Sequence, residues 1–526
     1  MNALRALALR SSITAALLAS GAATAIAQAP ASAPPSRSSW PAIALSAVDG
    51  PRRFQTEHEG VFGGKTIRYT ALVSETIVKN AQGAPAASVF TTSFIAREVR
   101  DPAHRPVIFI YNGGPGGASD ALMFGALGPK RMARFDSAAQ RDPSVPLEDN
   151  SDSPLDAADL VFIDPPETGF GRPLPGADKT TFRGNDADSY ACGQIILRWL
   201  ADHGRMGSPV FLAGESYGSL RNVLLARDLS QATPSVEVAG LIMISQAIRY
   251  NGPASIAPQR NRNIIESVNR FPDAAAFAWY HGKIDNKGQT LAQAIEKARR
   301  FARTDYGEAL ILGNRLDAPG RQRIAARMAE LTGLPASYYL QRDLRPADVR
   351  HDLLRSEGKL LGQFDGRETE PAAGAPTDRD RDWTAAVRGL TVNMERYAAR
   401  DLQVKGLGGY VSVVPDPYGF EDTWKYIPPG RPLLDTVLAE QMQANPKMRL
   451  MAPQGVFDTT SSMGSTVSLF AQLDIPADRV VVTYYPGGHM LYSDPEGREA
   501  FTSDIRAFVT GKTPSHVDLP VTHPAS

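Results

Sequence analysis

Five short apolar runs that do not alternate with polar residues constrain the fold of this chain more than any other feature. These runs are Val107–Tyr111, Leu160–Ile163, Val210–Ala213, Leu241–Ile244 and Val480–Tyr484. Strands of a parallel sheet have this character because helices cover both of their faces. Amphipathic helical patterns lie between several of the runs, at 186–200 and 219–229. The sequence therefore predicts an α/β fold with a mostly parallel central sheet.

Two other stretches have a different character. Residues 66–99 contain two runs rich in Val, Ile, Thr and Phe, separated by the turn sequence N-A-Q-G, which predicts an antiparallel hairpin at a sheet edge. Between about Tyr250 and Pro432, buried-strand runs are scarce and charged amphipathic segments predict helices at 290–303, 320–332, 349–361 and 380–400. We interpret this stretch as a largely helical insertion or lid, because strand-like runs resume after it.

The amino terminus has the three parts of a secretory signal peptide. Arg5 and Arg10 precede an apolar run from Ile13 to Ile26, and A-I-A at 25–27 is a small-residue cleavage site. The run is shorter than the roughly 20 residues needed to span a bilayer, which argues against a membrane anchor. We expect cleavage after Ala27, a periplasmic or secreted location, and no stable membrane insertion of the mature protein.

These observations divide the chain into six predicted parts. They are a signal peptide (1–27), a disordered lead-in rich in Ala, Pro, Ser and Gln (28–45), the first part of the α/β domain (46–250), the helical lid (251–432), the second part of the α/β domain (433–512) and a tail (513–526).

Charge and cysteine content exclude several classes of function. The 56 Lys and Arg residues balance 56 Asp and Glu residues, which argues against a nucleic-acid binder. A hydrophobic content of 43% is that of an ordinary globular protein. Cys192 is the single cysteine, so a disulfide within one chain and a site of several thiolates are both excluded. We expect no metal ion and no cofactor.

The strongest local motif is G-E-S-Y-G at 214–218. It follows a buried run and precedes a helical pattern, as the nucleophile elbow of α/β-hydrolases does. Small flanking residues are needed there because the serine occupies a sharp, strained turn. An ordinary glycine–serine turn is the alternative, and the strand before the motif and the helix after it favour Ser216 as a nucleophile.

A serine nucleophile needs a base and an acid that orients this base. His489 lies in a glycine-rich loop after the last apolar run, whereas the other histidines fall before the elbow, in the insertion or in the tail. For the acid, Asp458 follows the preceding strand, while Asp474 follows a helical stretch and resembles a surface connector. The order Ser216, Asp458, His489 is that of α/β-hydrolases.

The tetrahedral intermediate of such a reaction needs two backbone N–H donors. One is expected from Tyr217, directly after the nucleophile, and the second from the loop N-G-G-P-G-G at 112–117. A phosphate-binding loop is the weaker interpretation, since no Lys followed by Ser or Thr comes after these glycines.

Together these motifs resemble those of the serine carboxypeptidase family of α/β-hydrolases. The resemblance rests on N-G-G-P-G at 112–116, F-I-D-P-P-E-T-G-F-G at 162–171, G-E-S-Y-G at 214–218, G-V-F-D at 455–458 and G-H-M at 488–490. It implies that Ser216, Asp458 and His489 form a catalytic triad. It further implies that the N–H groups of Gly114 and Tyr217 form the oxyanion hole, and that Asn112, Gly113 and Glu215 hold the terminal carboxylate of the substrate.

Carboxylate recognition by a glutamate has a chemical requirement. Two carboxyl groups hydrogen-bond only if one carries a proton, so the activity on free C termini should favour acidic pH. The chain departs from the family at three points. G-A-S at 117–119 replaces C-S-S, Ala126 stands where the family has a glutamate that pairs with the elbow glutamate, and only 31 positions separate Asp458 from His489.

The leading hypothesis is a serine carboxypeptidase that acts on peptides with a free C terminus. A serine esterase or acyltransferase acting on small acyl esters is the alternative, and Ala126 keeps it open. A catalytically silent binding protein is a third interpretation, which the complete set of Ser, Asp and His disfavours. The sequence carries no signal for side-chain preference or oligomeric state.

Overall fold

The computed structural model describes residues 38–45, 51–250, 264–345, 348–377, 379–428, 431–520 and 522. The predicted signal peptide and residues 28–37 of the predicted lead-in lie outside the described residues, as does the start of the predicted lid, 251–263.

The strands are numbered here in chain order. They are β1 (Arg53–Phe62), β2 (Lys65–Lys79), β3 (Pro85–Ala96), β4 (Val107–Tyr111), β5 (Lys130–Met132), β6 (Leu147–Asp149), β7 (Asp159–Ile163), β8 (Arg172–Pro173), β9 (Val210–Glu215), β10 (Val238–Ile244), β11 (Lys359–Leu361), β12 (Thr369–Pro371), β13 (Arg449–Gly455) and β14 (Val480–Tyr485).

The described α-helices follow the same order. They are α1 (Asp120–Leu122), α2 (Ser137–Arg141), α3 (Asn185–Asp202), α4 (Tyr217–Ser230), α5 (Ile264–Tyr280), α6 (Leu291–Phe301), α7 (Gly307–Leu312), α8 (Ala318–Thr332), α9 (Ala336–Leu340), α10 (Val349–Asp352), α11 (Trp383–Ala386), α12 (Arg388–Arg400), α13 (Pro417–Asp422), α14 (Leu434–Ala444), α15 (Met463–Ala471) and α16 (Pro495–Val509).

The main sheet has the strand order β1-β2-β3-β7-β4-β9-β10-β13-β14, with β8 paired to β3. The pairs from β7 to β14 are parallel, whereas β1, β2, β3 and β7 pair antiparallel. The predicted hairpin is the β2–β3 pair, and every predicted apolar run lies in a parallel strand. The prediction of an α/β fold with a mostly parallel central sheet is confirmed.

The apolar runs lack alternation because the sheet is covered on both faces. In β4, Phe109 and Tyr111 belong to the core shared with α3 and α4. Ile108 and Ile110 point to the opposite face and belong to the core that contains Phe501 of α16. Successive side chains of a strand point to opposite faces, so both sets must be apolar when both faces are buried.

The segment predicted as a lid is rich in helices with a core of their own. Buried residues of α5 to α8 form this core, together with Val456 and Phe457 from the loop after β13. The helix starts follow from the sequence: Thr290 and Gln293 form a capping box at α6, and Asp317 caps α8 by accepting from the Gly320 N–H at 2.8 Å.

The predicted helix over 349–361 is wrong beyond Asp352. Gly358 adopts a φ of 70° in the left-handed region, which ends the helical conformation. The chain then forms β11, which pairs antiparallel with β12. An amphipathic pattern of this length did not distinguish a helix from a turn followed by a short strand.

Both ends of the described chain pack more closely than the sequence predicts. Ile43 is buried in the core beside α3 and α4, and the Thr233 N–H donates to its carbonyl at 2.9 Å. In the tail, the Tyr484 N–H donates to the His516 carbonyl at 2.9 Å. The packed structure therefore begins before residue 46 and continues past residue 512.

A buried ion pair lies beneath the central strands. Arg221 of α4 is 0% exposed, and its Nε donates to Asp188 Oδ2 of α3 at 2.7 Å. Its Nη1 donates to the Asn112 carbonyl at 3.1 Å, and its guanidinium lies 5.0 and 5.3 Å from the ring centroids of Tyr111 and Tyr217. One side chain thus joins α3, the end of β4 and the start of α4.

We expect Arg221→Met to lower the free energy of unfolding by about 3–5 kcal/mol, because it leaves the Asp188 carboxylate buried without its partner. Arg53→Met is the matched control, since Arg53 pairs with Asp202 at the surface, and it should cost at most about 1 kcal/mol. Urea unfolding at neutral pH measures both values. Equal losses in the two variants would contradict a structural role for the buried pair.

Candidate active site

Ser216 lies at the junction of β9 and α4 in a strained backbone conformation. Its φ is 55° and its ψ is −122°, a region that residues other than glycine rarely adopt. Gly214 is required on the other side of this turn, because a Cβ there would lie 2.1 Å from the Gly218 carbonyl oxygen. Ser216 remains partly exposed while Glu215 and Tyr217 are buried. The local geometry is that of a nucleophile elbow.

The glycine loop at 112–117 packs directly against this elbow. A Cβ at Gly113 would lie 2.7 Å from the Glu215 carbonyl oxygen and 2.8 Å from Ser216 Cβ. Tyr217 is the first residue of α4, so its N–H has no acceptor within the helix. Gly114 follows in the loop with a φ of 112°. The two predicted oxyanion donors therefore belong to adjoining backbone segments beside Ser216.

Asp458 and His489 are in direct contact. His489 Nδ1 lies 2.9 Å from Asp458 Oδ2, in the loops that follow β13 and β14. Both residues are buried. Because β13 and β14 are adjacent parallel strands, their carboxyl ends bring together two residues that are 31 positions apart in the sequence.

Asp458 and His489 each stabilise the charged form of the other, although both are buried. Burial alone would raise the pKa of Asp458, but His489 and hydrogen bonds from Ser461 hold this pKa below its ordinary value. Burial would likewise lower the pKa of His489, but the carboxylates of Asp458 and Glu215 raise it. The imidazolium form of His489 is thus stabilised by two acidic residues.

Glu215 lies next to Ser216 in the chain and is buried in the same region. Its Oε1 accepts a hydrogen bond from Asn112 Nδ2 at 2.9 Å, which joins the elbow to the glycine loop. Burial raises the pKa of Glu215, while the neighbouring His489 opposes this rise. The predicted carboxylate-binding residues Asn112, Gly113 and Glu215 therefore form one contiguous group beside the elbow.

Several residues that orient the histidine were not predicted from the sequence. Thr460 Oγ1 lies 2.6 Å from His489 Nδ1, and the N–H groups of Thr460 and Ser461 donate to Asp458 Oδ1 at 2.8 and 2.9 Å. The signal was present in the run D-T-T-S-S at 458–462, since hydroxyl-rich residues after an aspartate favour such local turns.

Phe364 comes from the predicted lid and had no signal in the sequence. Its carbonyl accepts from the His489 N–H at 2.7 Å, and its ring stacks on the imidazole with centroids 5.7 Å apart. Next to it, Arg367 bonds the Pro486 carbonyl at 2.6 Å and Asp494 at 2.7 Å. Residues far away in the sequence thus fix the position of the histidine loop.

The departures from the family motif have local structural outcomes. Ser119, in the G-A-S that replaces C-S-S, donates from its N–H and its hydroxyl to Asp164 Oδ1 at 2.9 and 2.7 Å. These bonds anchor the end of the glycine loop to the loop after β7. Ala126 is fully buried and contributes only a methyl group.

Neither a metal site nor a reactive thiol is apparent in the part of the chain that the structure describes. No cluster of three or more His, Cys, Asp or Glu side chains there is arranged to hold a metal ion. Cys192 is buried, and burial raises the pKa of its thiol. None of the described helices is long and apolar enough to cross a bilayer.

Comparison with known proteins gives a family match over part of the chain and a similar fold. The sequence model of the serine carboxypeptidase family matches residues 82–311. No curated protein matches the chain. Among solved structures, Kex1Δp, a prohormone-processing carboxypeptidase from Saccharomyces cerevisiae, has a TM-score of 0.53 at 12% identity, covering 84% of this chain and 91% of that chain. At this identity the likeness is one of fold.

Two further solved structures are more distant. A hypothetical protein from Pseudomonas aeruginosa PAO1 has a TM-score of 0.35 at 14% identity, covering 83% of this chain and 98% of that chain. A thermophilic esterase from Thermogutta terrifontis has a TM-score of 0.31 at 13% identity, covering 87% and 98%. These scores are too low to carry an argument. The predicted resemblance is nevertheless confirmed by the family match: the chain is similar to serine carboxypeptidases over residues 82–311 and has an α/β-hydrolase fold.

Proposed function

We propose that the protein is a serine-type carboxypeptidase that removes the C-terminal residue of peptides through an acyl-enzyme on Ser216. The observation that carries this proposal is the position of Glu215. This buried carboxyl group adjoins the elbow serine, bonds Asn112 of the glycine loop, and interacts electrostatically with His489. A site built only for ester hydrolysis has no need of a carboxyl group there.

In the proposed acylation step, Ser216 Oγ attacks the scissile carbonyl carbon and His489 takes the hydroxyl proton. Because His489 Nδ1 faces Asp458 and Thr460, Nε2 is the nitrogen that accepts it. A bond forms between Oγ and the carbonyl carbon, the C–N bond breaks, and His489 returns the proton to the leaving amine. Water then repeats the sequence on the ester and releases the shortened peptide.

The negative charge of the tetrahedral intermediate is assigned to the backbone N–H groups of Gly114 and Tyr217. Tyr217 also places the amino-terminal end of α4 towards this charge, which favours an anion. The reaction as written needs no metal ion or cofactor, because the nucleophile, base and oxyanion donors all come from the chain.

Recognition of a free C terminus is assigned to Asn112, Gly113 and Glu215. A substrate carboxylate is repelled by ionised Glu215 and bonded by protonated Glu215, and the raised pKa of Glu215 extends its protonated range. The base must at the same time be neutral. Since His489 is the base for both kinds of substrate, the ratio of kcat/KM for a free-acid peptide to that for its amide should fall as the pH rises through the pKa of Glu215.

The remaining parts of the proposal concern organisation and location. We assign residues 251–432 to a lid, supported by the separate core of α5 to α8 and by the contact of Phe364 with His489. We assign export to the periplasm or outside the cell on the basis of the signal sequence at 1–27. The substrate is then a peptide of that compartment.

One observation favours a second candidate, an esterase or acyltransferase that acts on small acyl esters through the same Ser216. Ala126 leaves Glu215 without the paired glutamate that the resemblance leads one to expect. If Glu215 binds no carboxylate, the triad and oxyanion donors would still serve ester chemistry.

Peptides with a blocked N terminus and either a free or an amidated C terminus separate the two candidates. We expect single residues to be released from the free-acid peptide, with kcat/KM at least tenfold above that for the amide. This ratio should decline as the pH rises above the pKa of Glu215. Mass spectrometry across pH gives both results. Equal cleavage of the two peptides, or rapid ester turnover without peptide trimming, would contradict carboxypeptidase activity.

The role of Asp458 is tested by Asp458→Asn with a small neutral ester. We expect kcat/KM to fall by about ten-thousand-fold, because the imidazole loses its orienting acceptor. The acidic limb of the pH profile should move to lower pH, since a charge that raises the pKa of His489 is gone. Asp474→Asn is the matched control: Asp474 is exposed and contacts Gln443, so this variant should keep wild-type activity. A similar loss in both variants would refute the assignment of Asp458.

A further inference from the structure

Tyr492 occupies the space beside Glu215, three residues after His489. Its side chain is fully buried. The ring packs so closely on Gly125 that a Cβ there would lie 2.4 Å from its Cε2. Its centroid lies 5.4 Å from the Phe135 ring and 6.4 Å from the Phe501 ring. The ring is thus fixed by packing against Gly125, the residue directly before Ala126.

The Tyr492 hydroxyl faces the two polar residues that join the elbow to the glycine loop. It interacts with the Glu215 carboxyl group and the Asn112 amide. Glu215 Oε2 and Tyr492 Oη are both buried, and neither meets the geometry of a hydrogen bond with any of the described residues. Each is therefore the partner available to the other in a pocket closed to water.

Tyr492 lies close to a position at which this chain departs from the family motif. The resemblance leads one to expect a glutamate at position 126 that pairs with the elbow glutamate, and the chain has alanine there. The Tyr492 ring packs on Gly125, which directly precedes this alanine in the short π-helix at 123–127.

We propose that Tyr492 is the positioning residue that replaces the missing glutamate as the partner of Glu215 and thereby controls recognition of the terminal carboxylate. This inference rests on the proposed carboxypeptidase function. Tyr492 acts through Glu215, because its hydroxyl is sealed from solvent. It differs from a second carboxyl group in that it stays neutral at the working pH, since burial raises its pKa further above the ordinary range.

The effect on Glu215 has a definite sign. A hydroxyl that donates to a carboxylate stabilises the ionised form, so Tyr492 lowers the pKa of Glu215 from the value that burial would otherwise impose. The other titratable groups that face Glu215 are His489, which also lowers this pKa, and Asp458, which raises it. Asp120 and Glu215 are the acidic groups that face Tyr492.

Tyr492→Phe tests the inference, with a blocked free-acid peptide and a blocked amino-acid methyl ester as substrates. Without the hydroxyl the pKa of Glu215 rises, so the pH at which the ratio of kcat/KM for the free acid to that for the ester falls should move up by about one pH unit. The profile for the ester should stay in place, because the ester has no carboxylate for Glu215 to bind.

Tyr397→Phe is the matched control. The Tyr397 hydroxyl is also buried and without a hydrogen-bond partner among the described residues, and its ring packs on Phe124 of the same π-helix. Removal of this hydroxyl should leave the pH profiles of kcat/KM for both substrates unchanged. Thermal denaturation of both variants should give a Tm at or near that of the wild type.

The outcomes separate this inference from the proposed function. A pH dependence of the free-acid-to-ester ratio of kcat/KM that Tyr492→Phe leaves unmoved would overturn the role of Tyr492 alone. An equal shift with both substrates, or a shift also in Tyr397→Phe, would likewise overturn it, since a general structural change would then explain the result. A wild type without preference for the free acid over the amide would defeat the proposed function and this inference together.

Discussion

The geometry of the site depends on a charge buried beneath it. Arg221 is fully enclosed and bonds Asp188, the Asn112 carbonyl and the faces of two tyrosine rings. A guanidinium is tolerated in such a place only when its donors are satisfied, so the residues around it have little freedom to shift. These residues begin the glycine loop and follow the elbow serine, so Arg221 joins the two segments that carry the predicted oxyanion donors.

Above this ion pair, His489 interacts with the carboxyl groups of Asp458 and Glu215. The environments of these two groups shift their pKa values in opposite directions. Asp458 receives several hydrogen bonds and its pKa is held low, whereas Glu215 is buried with few partners and its pKa is raised. The two environments thus push the pKa values of the two acids apart. The zero net charge of the chain has no bearing on this arrangement, which is set by a few contacts within one pocket.

The sequence alone predicted the parts of the fold and site that depend on local pattern. Apolar runs such as 107–111 identified the parallel strands, because burial on both faces removes alternation. The sharp turn at Ser216, and the placement of Asp458 and His489 after two adjacent strands, followed from motif and chain order. Thr460 and Ser461 could have been found, since they lie two and three positions after Asp458.

Other features depend on contacts between distant residues and left no local signal. Phe364 stacks on His489 from 125 positions away, and Tyr492 approaches Glu215 only because both β9 and the loop after β14 end at the same edge of the sheet. The helix predicted over 349–361 is wrong for a different reason. Its amphipathic pattern fits a helix, but Gly358 ends the helical conformation and the residues after it pair with β12 as a strand. Packing of Ile43 could likewise not be predicted from a lead-in composed largely of Ala, Pro and Ser.

The central claim is that Ser216 is a nucleophile activated by the surrounding site. The most direct test is the intact mass of the folded protein after reaction with a fluorophosphonate, followed by peptide mapping. The account predicts one phosphonyl group per chain, located on Ser216, and no addition to Ser216→Ala. A folded wild-type protein that stays unlabelled, or that is labelled on another residue, would contradict it.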